Sequence, residues 1–258
     1  MSGKDLRLRR IFAGDGRALI LAMDHAAPMG PVEGLERPER MIRRCVLAGI
    51  DAVLTTYGTA IRYGEAFDGR GLVLRLIDGQ GLGVAEALRA GADAVMSMYF
   101  LGEGQSDSVA HTGELARGCA EWQLPLAVEV LPRIDAAQAA EAPWLVAKGS
   151  RGAFEMGADM IKTLYTGDPD SFARVVEGAQ IPVVVLGGQR SGSDGELLRT
   201  VRAALDAGAS GVAIGRNIWQ HERPEQMVAS LARLIHEDAT VEQAERELAK
   251  AVATEGAR

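Results

Sequence analysis

The chain has 258 residues, 47% of them hydrophobic and 24% charged, enough to bury a sizeable core in one large α/β domain. Its formal net charge of −7 argues against nucleic acid or an anionic membrane surface as the main partner, because both select a basic face. There is no run of about 18 apolar residues that could span a membrane, and the charged start MSGKDLRLRRIFAGDGR lacks the apolar centre of a secretory signal.

Taken in chain order, eight short apolar runs rich in β-branched residues read as strands: Ala18–Met23, Asp51–Thr55, Leu72–Leu76, Ala94–Met98, Leu126–Val130, Asp159–Thr163, Pro182–Leu186 and Gly211–Ile214. Amphipathic stretches separate them, among them PERMIRRCVLAG, GVAEALRAG, SFARVVEGA and GELLRTVRAALDAG. Four of the junctions share a form, AGIDAV, AGADAV, MGADMI and AGASGV, in which Gly supplies a left-handed helix end just before the next strand. Nearly continuous apolar strands alternating with helices imply a parallel sheet covered on both faces. Eight such units favour closure as a (β/α)₈ barrel over an open doubly wound sheet. The expectation is one α/β domain spanning residues 1–258, with a helical extension from about residue 223 that carries PEQMVASLARLIH and VEQAERELAKAVA. Cys45 and Cys119, the two cysteines, lie in apolar-periodic segments outside any metal or redox spacing, so they read as buried free thiols of a cytoplasmic protein.

In such barrels the loops after the strands carry the chemistry. Strand one ends Met23-Asp24-His25, strand five Glu129-Val130-Leu131-Pro132-Arg133, and strand six Lys162-Thr163-Leu164-Tyr165. Strand seven ends Leu186-Gly187-Gly188-Gln189-Arg190 and strand eight Ile214-Gly215-Arg216-Asn217. Lys162 interrupts an apolar strand at the depth of the barrel mouth. It reads either as a strand-end lysine snorkelling to solvent or as a desolvated amine, the nucleophile that makes a Schiff base with a carbonyl. Gly187 and Gly188, then Gly215 and Arg216, follow the last two strands, where many barrels bind phosphate; Arg190 extends the first of these loops with further donors. Asp24 is placed to balance the amine's charge and move protons, whereas His25 reads more readily as a capping or packing residue than as a second acid–base group. The four histidines are scattered without ligand spacing, so neither a metal nor another cofactor is expected.

The segments LAMDHAAPMGP (Leu21–Pro31), GADMIKTLYTGDPDSF (Gly157–Phe172), PVVVLGG (Pro182–Gly188) and GASGVAIGRNIWQHERPEQM (Gly208–Met227) resemble the archaeal-type class I fructose-bisphosphate aldolase family. That family includes the aminodideoxyheptulosonate synthases and the bacterial autoinducer-phosphate-processing enzymes. The resemblance runs in order along almost the whole chain. It implies a barrel with Lys162 as the Schiff-base lysine, Asp24 as a catalytic carboxylate and a phosphate site around Gly187, Gly188, Gly215 and Arg216. It also implies a homo-oligomer, often a decamer, acting on a phosphorylated sugar or keto substrate, with dihydroxyacetone phosphate as the ketone fragment.

One position departs from the family pattern. Family aldolases carry a proton-transferring tyrosine at the end of strand five, in a segment like M-Y-P-R-G, whereas this chain has Val130-Leu131-Pro132-Arg133-Ile134. Leucine cannot transfer protons. Period-two alternation puts Glu129 on the same inward face one layer deeper. Three readings stay open: Glu129 or Tyr165 stands in for the tyrosine; the reaction differs from fructose-bisphosphate cleavage, as in a transaldolase-like synthase or acyl-cleaving enzyme; or Glu129 is a buried structural partner of Arg75 or Lys162. A barrel that binds sugar phosphate without turnover is the remaining alternative.

Overall fold

The computed structural model describes residues 2–188 and 192–250. Eight parallel strands close into a barrel in sequence order: β1 Ala18–Ala22, β2 Ala52–Thr56, β3 Gly71–Arg75, β4 Ala94–Gly102, β5 Leu126–Arg133, β6 Met160–Thr163, β7 Val183–Leu186 and β8 Gly211–Ile214. The seam pairs β8 with β1, matching Ala18 to Gly211. Gly211 sits at φ +128°, and a Cβ there would lie 2.0 Å from the Ala18 carbonyl oxygen, so only glycine lets the last strand close on the first.

Strand alternation sorts the side chains into two cores. Ala22, Leu54, Val73, Met96, Ala127, Met160, Val184 and Ala213 point inward and fill the barrel. Their neighbours, such as Leu21, Val53, Leu74, Val128 and Ile161, point outward against the surrounding helices. Helix Pro38–Ala48 shows how the outer layer forms: proline opens it, Met41, Ile42, Cys45 and Val46 bury one stripe, and Gly49 at φ +107° ends it. The residues Ile11 and Phe12, at the end of an N-terminal helix (Gly3–Ile11), join the inward cluster and plug the barrel's lower end. After β8, helices Pro224–His236 and Val241–Leu248 pack on one another. Cys45 and Cys119 are buried free thiols, and burial pushes each thiol up to about 12.

The repeated junction seen in the sequence builds the barrel floor. Asp51, Asp93 and Asp159, just before β2, β4 and β6, each accept the backbone N–H at the start of the preceding odd strand. The distances are 2.7 Å from Leu19, 3.1 Å from Leu72 and 2.8 Å from Leu126. Each carboxylate also holds a cation or cationic ring from a terminal helix: His236 on Asp51 at 3.0 Å, Arg10 on Asp93 at 2.8 Å and Lys4 on Asp159 at 2.7 Å. Neighbouring strands and the terminal helices are thereby tied together at the end of the barrel remote from the strand C-termini.

Candidate active site

The inward alternation of β3, β5 and β6 continues past Val73, Ala127 and Met160 to Arg75, Glu129 and Lys162, and Asp24 follows Ala22 of β1 in the same sense. Four charged side chains are thus buried together at the top of an otherwise apolar barrel, each no more than 9% exposed. The β5–β6 register pairs Glu129 directly with Lys162, and the Lys162 Nζ lies 2.9 Å from Glu129 Oε1. Arg75 joins the two carboxylates: its Nε donates to Asp24 Oδ2 at 2.7 Å and its Nη2 is bonded to Glu129 Oε2. The third guanidinium nitrogen, Nη1, is buried with no partner among the described residues.

Two carboxylates and two cations balance, which is the condition for burying charge at all. Burial is the strongest influence on Asp24 and pushes its carboxyl up, yet Arg75, Lys162 and His25 together outweigh it and hold the group down at about 2. Glu129 is likewise pushed up by burial and held below the ordinary carboxylate range by Lys162 and Arg75. Both are therefore carboxylates at neutral pH. His25 moves the other way, its ring pushed down chiefly by burial and only partly restored by Asp24. Its Nδ1 lies 3.5 Å from Asp24 Oδ1, outside good hydrogen-bond geometry, and its ring packs edge-on to Trp219 with centroids 5.5 Å apart. That packing suits the neutral, structural reading of this histidine.

The loops after β7 and β8 converge beside this cluster. Arg216 Nη2 donates to the Gly188 carbonyl at 3.0 Å and Asn217 Nδ2 to the Gly187 carbonyl at 2.9 Å, so the two glycine-bearing loops are cross-tied. Gly188 takes a left-handed φ of +64° with open space where a side chain would be. Gly215 has a packing reason of its own: a Cβ would lie 2.7 Å from the Ala22 carbonyl oxygen and 2.8 Å from the His25 ring. Arg190 lies outside the described residues.

Tyr165 and Leu131 complete the residues singled out from the sequence. Tyr165 packs against the outer core, its ring 5.3 Å from that of Phe172, and burial raises its phenol. Leu131 is half-buried one step above Glu129 on β5, paired in register with Phe100. Arg75 was visible in the sequence only as a partner of Glu129. The signal for more was there, a charged residue closing the apolar run LVLRL just as Lys162 interrupts DMIKT. Among the described residues, no group of three or more His, Cys, Asp or Glu side chains could hold a metal ion, and no helix is long and apolar enough to cross a membrane.

Comparison with known proteins converges on one family. A model of the DeoC/LacD family aldolases matches residues 18–221. The chain is 36% identical to the 2-amino-3,7-dideoxy-D-threo-hept-6-ulosonate synthase of Halobacterium salinarum, over 94% of this chain and 95% of that protein. It is 34% identical to the class 1 fructose-bisphosphate aldolase of Thermoproteus tenax, over 88% of this chain and 92% of that one. Among solved structures, an archaeal fructose-1,6-bisphosphate aldolase whose catalytic lysine is covalently bound to the carbinolamine intermediate superposes with a TM-score of 0.78. That match has 31% identity and covers 90% of this chain and 99% of that structure.

Proposed function

The chain belongs to the DeoC/LacD aldolase family, and from that premise we propose that it is a class I lyase acting through a Schiff base on Lys162, with a phosphorylated ketose as substrate. The observation that carries this reading is the 2.9 Å contact between Lys162 Nζ and Glu129 Oε1 within a buried, charge-balanced cluster. A lysine so enclosed in a barrel mouth has both the desolvation and the proton acceptor that an amine nucleophile needs.

The chemistry follows from the placement. Lys162 passes a proton to Glu129 and its free amine adds to the substrate ketone, giving a carbinolamine that loses water to become an iminium. Glu129 gives that proton to the departing hydroxyl as the water leaves and, a carboxylate once more, then takes the proton of the C4 hydroxyl. The C3–C4 bonding pair moves into the iminium, the C4 oxygen becomes the carbonyl of the leaving aldehyde, and an enamine remains. Glu129 returns that proton to C3, and attack by water on the iminium releases the ketone fragment, taken here as dihydroxyacetone phosphate, and restores the Lys162 ammonium beside the Glu129 carboxylate. Glu129 thereby fills the place left by Leu131; its direct bond to Lys162 favours it over Tyr165, whose ring leans on Phe172. Asp24, held ionised beside Arg75, steadies the positive charge of the iminium. The cross-tied loops of Gly187, Gly188, Gly215 and Arg216 take the phosphate, fixing the carbonyl over the amine. A homo-oligomer in a reducing, cytoplasmic compartment belongs to the same proposal, supported by exposed Leu47 and Trp144 and by the two buried thiols.

Borohydride reduction in the presence of dihydroxyacetone phosphate is expected to leave a covalent adduct on Lys162, located by peptide mass, and Lys162→Ala is expected to lose both adduct and turnover. Active enzyme that yields no adduct with any ketone substrate removes the Schiff-base mechanism.

A further inference from the structure

Beside the charged cluster, on the β3–β5 side of the mouth, lies a cavity of ≈ 250 Å³. It begins at Arg75 and is walled by Leu76, Met98 and Phe100. If the phosphate sits over β7 and β8 and the carbonyl carbon at Lys162 on β6, the rest of the carbon chain continues across Glu129 on β5 towards this cavity. It is the space in which the aldehyde half of the substrate must be received, an inference that rests on the reading of Lys162 and of the phosphate loops given above.

The charges on its wall do not suit an anion. Arg75 is already matched by Asp24 and Glu129. Arg133 lies over the Phe100 ring at 3.4 Å, and the same wall carries two carboxylates, Asp78 and Asp107. Asp78 is largely exposed and lies 3.7 Å from His111 Nδ1, so the described wall sets two carboxylates against Arg133 and that ring, and a phosphate placed here would find carboxylates at the rim and no cation in excess. Two of the lining residues, Arg75 and His111, each carry a buried nitrogen with no partner among the described residues, Nη1 and Nε2. Unpaired buried polar atoms of this kind are satisfied by an uncharged oxygen, a hydroxyl or carbonyl, as well as by an anion, and the apolar remainder of the wall suits a carbon body.

We propose that the aldehyde handled by this enzyme is a short, uncharged hydroxyaldehyde, so that the ketose carries its phosphate on the ketone side alone. In the cleavage direction the new aldehyde oxygen forms within reach of Glu129, and the hydroxyl further along the chain meets Arg75 Nη1 and His111 Nε2.

The test runs the reaction in the synthetic direction, with dihydroxyacetone phosphate fixed and acceptors compared by kcat/KM. Glyceraldehyde and glycolaldehyde are expected to exceed glyceraldehyde 3-phosphate by about tenfold or more, the size of effect expected of an added phosphate facing fixed carboxylates. In the variant joining Asp78→Asn and Asp107→Asn, both carboxylates at the rim, the phosphorylated acceptor is expected to regain most of that gap. Preference for glyceraldehyde 3-phosphate in the unaltered enzyme overturns the inference, as does a double variant whose preference is unchanged. Borohydride trapping with dihydroxyacetone phosphate alone separates the two levels of failure. An adduct on Lys162 together with preference for the phosphorylated acceptor sinks the neutral-aldehyde inference only, whereas no adduct with this ketone sinks the ketone reading and the inference built on it.

Discussion

Glu129 and Leu131 stand two residues apart on one face of β5, and the proposed proton transfer rests on the first of them. Leu131 is the position at which the family resemblance leads one to expect a tyrosine, and it offers no proton. Glu129 sits one layer deeper, bonded to both Lys162 and Arg75, and its carboxyl is held in the ionised form that a base requires. Replacing it with glutamine keeps the shape and removes the proton carrier. Glu129→Gln is therefore expected to lower kcat by about 10²–10⁴, the usual contribution of a positioned acid–base group, while Tyr165→Phe changes it only a few-fold. Steady-state assays of both variants decide between the two residues; a Tyr165→Phe variant that loses activity as deeply as Glu129→Gln returns the proton to the phenol. Arg75 is a positioning residue in this scheme. Its guanidinium fixes both carboxylates, and the strand sequence LVLRL could not reveal that, because its partners come from β1 and β5.

At the scale of elements, the aspartates before β2, β4 and β6 turn a sequence near-repeat into a mechanical one. Each ties an even strand to the odd strand before it, and each is held from below by a residue of a terminal helix. His236 gives this floor a pH dependence. Its hydrogen bond to Asp51 is the largest influence, with a second to Asp15, and together they outweigh burial and raise the imidazolium to about 9. A folded-state value above the unfolded one means that the protonated ring stabilises the fold. That contribution is complete below about 6.5 and disappears as pH climbs through about 9. Thermal melts of the native protein and of His236→Ala should accordingly differ most at mildly acidic pH and draw together at alkaline pH. A gap that stays constant across that range assigns the histidine's effect to packing alone.

Across the whole molecule, the eight strands and their closure were legible because inward and outward positions are both apolar and each strand is bounded by Gly, Asp or Pro. The strand ends were less so. β4 and β5 run on to Gly102 and Arg133, since they pair with each other beyond the barrel's average height, a matter of register that no single segment records. The N-terminal helix was hidden by its polar surface: Ile11 is buried within it, and the plug it forms depends on packing against distant strands. Lys162, Asp24 and the glycine loops could be read from the chain one by one, but the cavity beside Phe100 exists only once β3, β4 and β5 lie side by side, and the charge balance of the buried cluster only once the ends of β1, β3, β5 and β6 are brought together. That balance bears on how the enzyme meets its medium. In the proposed cycle the Lys162 nitrogen is an iminium cation when the carbon–carbon bond breaks, enclosed with Arg75 and two carboxylates and shielded from dissolved ions by burial. Added salt should then weaken capture of the phosphorylated substrate at the open rim, raising KM, while leaving kcat nearly level. In a medium of changing ionic strength, supply of substrate would vary and the bond-breaking step would keep its pace.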